Sequence, residues 1–356
     1  MRSHRRIQRR CTSLRVGGVT SITDIALRAG VSVASVTRVL DGSKEVRLAT
    51  RERVLRAVME LQDAAERPTL DRRLPRSGTI GFIVSDVQNP SLPQIVASIE
   101  NISYGTKRRL VLCNSDEDPE RERGHLSDLV AQGVDGIITL PVGATVDSIA
   151  PFIHSVSIVC LDRRIPGLEL DLAISDNRLG SDLAVRHLVE LGHSRIALIA
   201  THHETLTAER VGGFLAALAA LGIAEHPEYV RRGGDARQHS GYEQTLHLLR
   251  LAQPPTAILV ANHLLMLGAM SALRDRGLRT PEDISLVGFD ETPWSRLLDP
   301  PLTTVALPAN ELGTAAAHLL IDRLDRQYTG RPREVMLPPE LIVRASTCAP
   351  AADSFV

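Results

Sequence analysis

Two groups of residues in this 356-residue chain have types and spacings that could do chemistry. The first is Val33, Ala34, Thr37 and Arg38. They lie on the outer side of a short helical repeat whose Val36, Val39 and Leu40 fall on the inner side. An arginine there can give guanine two hydrogen bonds, and small apolar side chains can meet a thymine methyl. The second group gathers short acids and amides where apolar runs end: Asp86, Asn89, Asn114-Ser115-Asp116, Asp162, Asn262 and Asp290. Such side chains hydrogen-bond hydroxyls, and Arg210, near the start of a helix, adds a fork of donors. The alternative for each member is that it only caps the helix that follows.

The elements that must carry the first group are three short helices. Ser21 and Asp24 form a capping arrangement, Ile22, Ile25, Ala26 and Ala29 share a face, and Gly30 permits a left-handed turn. Ser32 caps a second helix over 33–40, and Asp41-Gly42 stops it. A third helix, about 49–61, buries Val54, Leu55, Val58 and Leu61. Helix, glycine turn and helix in this order predict a DNA-binding helix-turn-helix, its second helix in the major groove. Three amphipathic helices merely packed on a larger body would show the same periodicity.

The second group needs a different scaffold. Strands are predicted at 79–85, 109–114, 135–140, 156–161, 171–175, 195–200, 256–260 and 284–289. Helices fill the gaps at 91–103, 119–132, 177–191, 205–221, 238–251, 263–276 and 309–327. Alternation with crossovers of this length means doubly wound parallel sheets, and eight strands suit two of them. Ligands in such sheets sit beyond the carboxyl ends of the strands, where the acids and amides fall.

Charge divides the chain the same way. The net charge is −1. Residues 1–76 hold 17 Arg+Lys against 8 Asp+Glu, and the remainder 24 against 34. A basic head on an acidic body points to a polyanionic partner for the head. Residues 1–18 carry six arginines, no acid and no apolar core, so they read as a disordered basic arm or an over-called start and not as a secretory signal. Apolar runs such as 196–200 are far too short to span a membrane. The four cysteines show no CxxC pair, which excludes a disulfide scaffold and suits a reducing cytoplasm. His202-His203-Glu204 lacks the spacing of a helical zinc pair, so no metal site and no cofactor are expected. No GxGxxG, P-loop or GxSxG is present, so an enzyme is not expected.

The stretch ITDIALRAGVSVASVTRVLD (22–41), followed by TRERV (50–54), closely resembles the head of the lactose-repressor/galactose-repressor (LacI/GalR) family of bacterial transcription regulators. IGFIVSDVQNP (80–90), GVDGIIT (133–139), PTAILVANH (255–263), PEDISLVGFDETPW (281–294) and LIVRAST (341–347) resemble its effector-binding core. The resemblance implies an all-α helix-turn-helix head and an α/β body like the periplasmic sugar-binding proteins, two subdomains with three crossovers and the ligand between them. Its implied divisions are a head at 19–61, a hinge at 62–77 and a body at 78–348. The body splits into 78–175 plus 306–328 and 176–305 plus 329–348.

Residue by residue, the resemblance places base contacts on positions 33, 34 and 38 and ligand contacts on Asp162, Arg210, Asn262 and Asp290. His263 stands where the family has the aspartate of an Asn-Asp pair. Ala236 and Leu307 stand where the lactose repressor has an aromatic residue and a glutamine, and Ser91-Leu92 where many relatives place aromatics. The pocket is therefore polar and poor in stacking surface, which suits a sugar or polyol. Two departures stand out. Arg47 replaces the serine before the third helix. The hinge, QDAAERPTLDRRLPRSGTIG (62–81), keeps only Pro68 of the family segment, so Leu70 or Leu74 takes the role of the leucine wedged into the minor groove.

The chain ends nine residues after Thr347 without a leucine heptad, so the expected assembly is a homodimer on a palindromic operator. The expected function is a cytoplasmic, nucleoid-associated regulator, a repressor controlled by a small ligand. A regulator answering to a partner protein is the alternative, and a secreted solute-binding protein shares only the body.

Overall fold

The computed structural model describes residues 22–40, 50, 53–54, 57, 77–142, 146–201, 204–234 and 237–351. The chain divides into two compact units between Pro75 and Arg76. In the first, α1 (Ile22–Ala29) and α2 (Val33–Leu40) meet across Gly30, whose φ of +61° is the left-handed turn that the sequence requires. The turn is closed by Val31 N donating to Ala26 O at 3.0 Å. Ser32 Oγ accepts from Ser35 N at 3.2 Å and so caps α2. Ile25, Ala26, Ala29, Val36 and Val39 pack with Val54 and Ala57 as one small core.

The second unit holds two six-stranded sheets. The first runs β11-β5-β4-β3-β1-β2, all parallel, from β1 (Thr79–Val84), β2 (Arg109–Asn114), β3 (Gly136–Thr139), β4 (Ser157–Leu161), β5 (Asp171–Ser175) and β11 (Glu334–Leu337). Helices α3 (Leu92–Gly105) and α10 (Ala309–Leu324) cover one face, and α4 (Pro119–Ala131) and α5 (Val146–Ile149) cover the other. The second sheet runs β12-β10-β9-β8-β6-β7, from β6 (Ile196–Ala200), β7 (Val230–Arg232), β8 (Ala257–Val260), β9 (Ser285–Phe289), β10 (Thr303–Ala306) and the antiparallel β12 (Glu340–Ile342). Its faces are covered by α6 (Asn177–Glu190) with α7 (Glu204–Ala220), and by α8 (Gln238–Leu249) with α9 (His263–Asp275). Burial on both faces is why the central strands read as continuous apolar runs rather than alternating ones. No helix among the described residues is long and apolar enough to cross a membrane.

The structure corrects the sequence in two places. There are twelve strands among the described residues, not eight: β7, β10, β11 and β12 are short, partly polar or lie at sheet edges. The sequence places 329–348 wholly with the second subdomain, yet β11 pairs with β5 in the first sheet. The last crossing is therefore at Pro338-Pro339, between β11 and β12, after crossings that follow β5 and β10. A buried carboxylate fastens this arrangement. Asp171 on β5 accepts Arg323 Nε at 2.7 Å, Arg323 Nη2 at 2.9 Å and Arg333 N at 2.7 Å, tying β5 to α10 and to the approach of β11.

Candidate functional sites: the outer face of the second helix and two strand-end carboxyls

On α2 the inward residues Val36 and Val39 are buried, which leaves Val33, Ala34 and Arg38 exposed. Thr37 is half-buried, and its hydroxyl donates to Val33 O at 3.1 Å. A valine at 46% exposure has no packing role on its own helix, so the outward face carries the residue types that read base edges. Leu70 and Leu74 lie outside the described residues, as do the basic arm and Ala236.

In the body, each sheet ends a central strand on an aspartate in the left-handed region. Asp162 follows β4 with φ +58°, and Asp290 follows β9 with φ +71°. Each backbone N–H is anchored on the next strand, Asp162 N to Ala173 O at 2.8 Å and Asp290 N to Val305 O at 3.1 Å. Strands β4 and β9 occupy the same place in their two sheets, third from the edge made by β11 or β12. Left-handed backbone costs an L-residue ~1–2 kcal/mol, so these two turns are held by their surroundings and aim two carboxyls at the carboxyl ends of the sheets.

The two carboxyls differ. Asp290 is buried, its Oδ2 is 3.4 Å from His263 Nδ1, and burial pushes its pKa up. The His263 hydrogen bond and the Arg210 charge outweigh that and hold it below the usual carboxylate range. Asp162 has a buried Oδ1 without a partner. Burial pushes it up to about 6 against the pull of Arg210 and Arg163, with Asp290 and Glu209 adding to the rise.

Arg210 on α7 is buried. Its Nε donates to Asn177 Oδ1 at 2.8 Å, its Nη1 donates to the Ala261 carbonyl, and its guanidinium lies 4.1 Å from the Phe289 ring centroid. The fork expected to face a ligand is thus largely committed to the protein through Nε and Nη1. Asn262 caps α9, its Oδ1 accepting from Leu264 N at 2.8 Å and Leu265 N at 3.2 Å, which leaves its amide N–H groups. The capping alternative also describes part of the remaining set. Asp86 Oδ1 accepts from Gln88 N at 2.8 Å, Asn89 Oδ1 from Ser91 N at 2.9 Å and Asn114 Oδ1 from Val87 N at 3.1 Å, so all three shape turns. His263, at the first position of α9, is buried with Nε2 unpartnered. Leu307 packs partly buried against the core of the second sheet.

The sequence missed Asn177 and Glu209. Asn177 Nδ2 donates to Ser175 O at 3.1 Å and to Glu209 Oε2 at 3.3 Å, which fixes the amide whose Oδ1 accepts from Arg210 Nε. Its only signal was an amide just after a strand, in the segment DNRLG. Glu209 also meets Arg164 Nε at 3.4 Å, an ion pair between the two subdomains. A second pair spans them at Arg237 Nη2–Asp116 Oδ1, 3.7 Å. Arg163 holds Glu117 with bonds of 2.6 and 2.9 Å directly behind Asp162.

The chain is similar to known proteins along most of its length. Residues 21–62 match the bacterial regulatory proteins of the lacI family, and residues 185–347 match the periplasmic binding protein-like domain. The HTH-type transcriptional repressor PurR of Actinobacillus pleuropneumoniae serotype 3 (strain JL03) is 33% identical over 331 residues, 92% of this chain and 98% of that protein. The solved complex of the transcriptional regulator CelR with cellobiose has a TM-score of 0.70 at 31% identity, covering 92% of this chain and 100% of that one. A LacI family transcriptional regulator from Enterococcus faecium with bound ribose gives 0.68 at 30% identity, covering 76% and 99%. With a helix-turn-helix head and a two-sheet body of the periplasmic binding type, the chain belongs to the LacI family of DNA-binding transcriptional repressors.

Proposed function

We propose that the body binds a small neutral sugar or polyol between its two sheets and that this binding sets the affinity of the head for a palindromic operator. The observation that carries the reading is the pair Asp162 and Asp290. Two carboxyls leave equivalent strands of the two sheets on left-handed backbone, with Arg210 acting on both. Carboxylates and an amide at this density suit hydroxyls. Cellobiose and ribose in two similar structures support the class. The protein acts as a cytoplasmic homodimer. Exposed Val111 and Leu112 on the edge strand β2, and Tyr104 on neighbouring α3, support this, because an apolar sheet edge left in water invites a second copy. Operator reading falls to Val33, Ala34, Thr37 and Arg38, with Leu70 or Leu74 as the minor-groove wedge.

The control is a linkage. A ligand that touches both subdomains favours the closed arrangement, and DNA affinity shifts by the differential affinity of the ligand for the two states. The test selects operator duplexes from a random pool with the full chain. It then titrates a panel of neutral mono- and disaccharides, cellobiose and ribose included, into the complex by fluorescence anisotropy. A panel member should change operator affinity at least fivefold in wild type and not in Asp290→Asn. A complex that ignores every sugar and responds instead to a protein fraction defeats the small-ligand reading.

A further inference from the structure

Strands β4 and β5 are parallel neighbours joined without a helix, by the loop 162–170. Parallel neighbours are usually joined through a helix, and that helix covers the sheet. Here Cys160, Leu172 and Glu334 stand in register across β4, β5 and β11. Residues opposite one another on parallel strands face the same side, and Cys160 and Leu172 belong to the core on the α4–α5 side. At this edge of the sheet the loop covers that side incompletely, and a cavity of about 690 Å³ is left. Small-molecule sites span ~300–1,000 Å³, so the cavity has the size of one. None of the strand-end residues Asp162, Arg210, Asn262 and Asp290 lines it, so it is separate from the site described above.

The lining has two characters. Ile165, Leu168, Leu170 and Leu172 supply apolar surface packed on the core of the first sheet. The rest is largely charged, and most of the charges are already paired. Arg164 gives Glu334 two hydrogen bonds and meets Glu209 at 3.4 Å, which neutralises both glutamates. Glu169 is exposed on the loop. Arg333 Nη1 donates to Asp322 at 2.7 Å and Nη2 to Leu319 O at 3.3 Å, but its Nε is buried without a partner. Arg331, two residues earlier, is exposed, and its guanidinium has no partner among the described residues. A buried donor left unpaired calls for an acceptor, and a neighbouring cation makes a negative one the better fit.

We propose that this cavity is a second effector site, which takes a small carboxylic acid with an aromatic or branched aliphatic body. The carboxylate meets Arg333 Nε and Arg331, and the body lies on the leucine wall. Cations are disfavoured, because the acids Glu209 and Glu334 are held by Arg164. Ala208 and Glu209 on α7 bring the second subdomain to the same cavity. An occupant therefore touches both subdomains beside the Arg164–Glu209 pair, and its binding is linked to their arrangement and through it to the operator. The proposal does not depend on what the strand-end site binds.

Isothermal titration of the full chain with benzoate, phenylacetate and 4-methylpentanoate, each beside its amide, tests this. At least one acid should bind once per chain, with its amide about tenfold weaker, since charge-assisted hydrogen bonds are the stronger kind. Hydrogen exchange should slow in 163–172 and 331–337 when that acid is present. Arg331→Glu, a change at an exposed position, should weaken the acid about tenfold. Ala208→Trp, exposed on α7, narrows the cavity and should weaken it as well. Operator affinity should shift about twofold or more with the acid at saturation. No heat from any acid at millimolar concentration overturns the proposal, and so does an amide that binds as well as its acid. Acid binding that survives both substitutions, with slowed exchange at 261–264 and 289–292 instead, assigns it to the strand ends and overturns this site. Binding at the cavity with operator affinity unmoved overturns the effector role. The exchange pattern of wild type locates the acid even if a variant does not fold.

Discussion

Arg210→Ala is the sharpest perturbation, because this buried residue joins three parts of the body, Asn177, Ala261 and Phe289, and is a ligand contact on the proposed reading. The substitution strips the acceptors Asn177 Oδ1 and Ala261 O of their donors and removes the cation over Phe289. It also removes the positive charge that restrains Asp162 and Asp290. A hydrogen bond to a charged group contributes ~1.5–3 kcal/mol, and a desolvated cation–π contact ~2 kcal/mol. These overlap, and removing one partner of a buried charge network typically costs ~3–5 kcal/mol in total, which is the loss expected here. The chain has one tryptophan, Trp294, packed partly buried against the core of the second sheet, so its fluorescence in urea reports this unit. The midpoint should drop by an amount equivalent to ~3–5 kcal/mol at constant slope. Arg210→Lys, which keeps the charge but loses the planar fork, should fall between wild type and alanine. Ligand affinity in whatever remains folded should weaken at least tenfold, a loss of ~1.4 kcal/mol or more. A midpoint shift worth less than ~1 kcal/mol would show that the network around Arg210 is not what holds the end of the second sheet in place.

Arg38→Ala should cost ~1–3 kcal/mol of specific operator affinity and relax selection at one base pair, and unchanged site selection from a random pool would refute its role in base reading. Wild-type operator affinity should fall steeply between 50 and 200 mM salt as phosphate contacts release counterions, measurable by anisotropy. Asp171→Ala leaves Arg323 and Arg333 without their buried carboxylate and should destabilise the body by ~3–5 kcal/mol in the same urea assay. His193 is buried between Thr256 Oγ1 at 2.8 Å and the Cys348 carbonyl at 2.8 Å, and burial holds its pKa below the ordinary histidine value. The unfolded chain therefore takes up its proton first. Stability is full above pH ~6.5 and declines as pH falls through that value toward the lower folded one. His193→Gln should flatten that part of a melting-temperature profile.

The central strands were legible because a strand buried on both faces has no polar face to interrupt its apolar run: β6 reads IALIA and β8 reads AILV. The short strands β10 (TTVA), β11 (EVML) and β12 (ELI) were not, since three or four residues, threonines in buried β10 and half-exposed or exposed residues in β11 and β12, carry neither period nor length. Their positions are set by partners far along the chain, as when Glu334–Leu337 joins β5 and moves a subdomain boundary. At the strand ends, residue type and position put Asp162 and Asp290 in a wider set of acids and amides, and the family resemblance narrowed that set to these two and Asn262. Neither could separate a carboxyl that has found its partners from one that has not. Nor could they show that Asn177 consumes part of the Arg210 fork, because an asparagine at a helix start looks like a cap until its hydrogen bonds are seen.

That distinction governs how a ligand could act. On the second sheet Asp290 is already paired with His263 and feels the charge of Arg210, whose own stacking partner is the preceding Phe289. The first sheet brings Asp162 at the equivalent place with its Oδ1 bare. Contacts within the second subdomain exist whether or not the cleft is closed, so a ligand resting on them alone has equal affinity for both arrangements and shifts nothing. Only what it gains from the opposite wall biases the equilibrium. The bare oxygen of Asp162 is where such a gain is available. The Arg164–Glu209 ion pair, one residue from Arg210 and two from Asp162, already links the walls beside it. On the proposed reading, then, Asp290 and Arg210 position the effector, and the hydrogen bond to Asp162 converts its binding into a change at the operator.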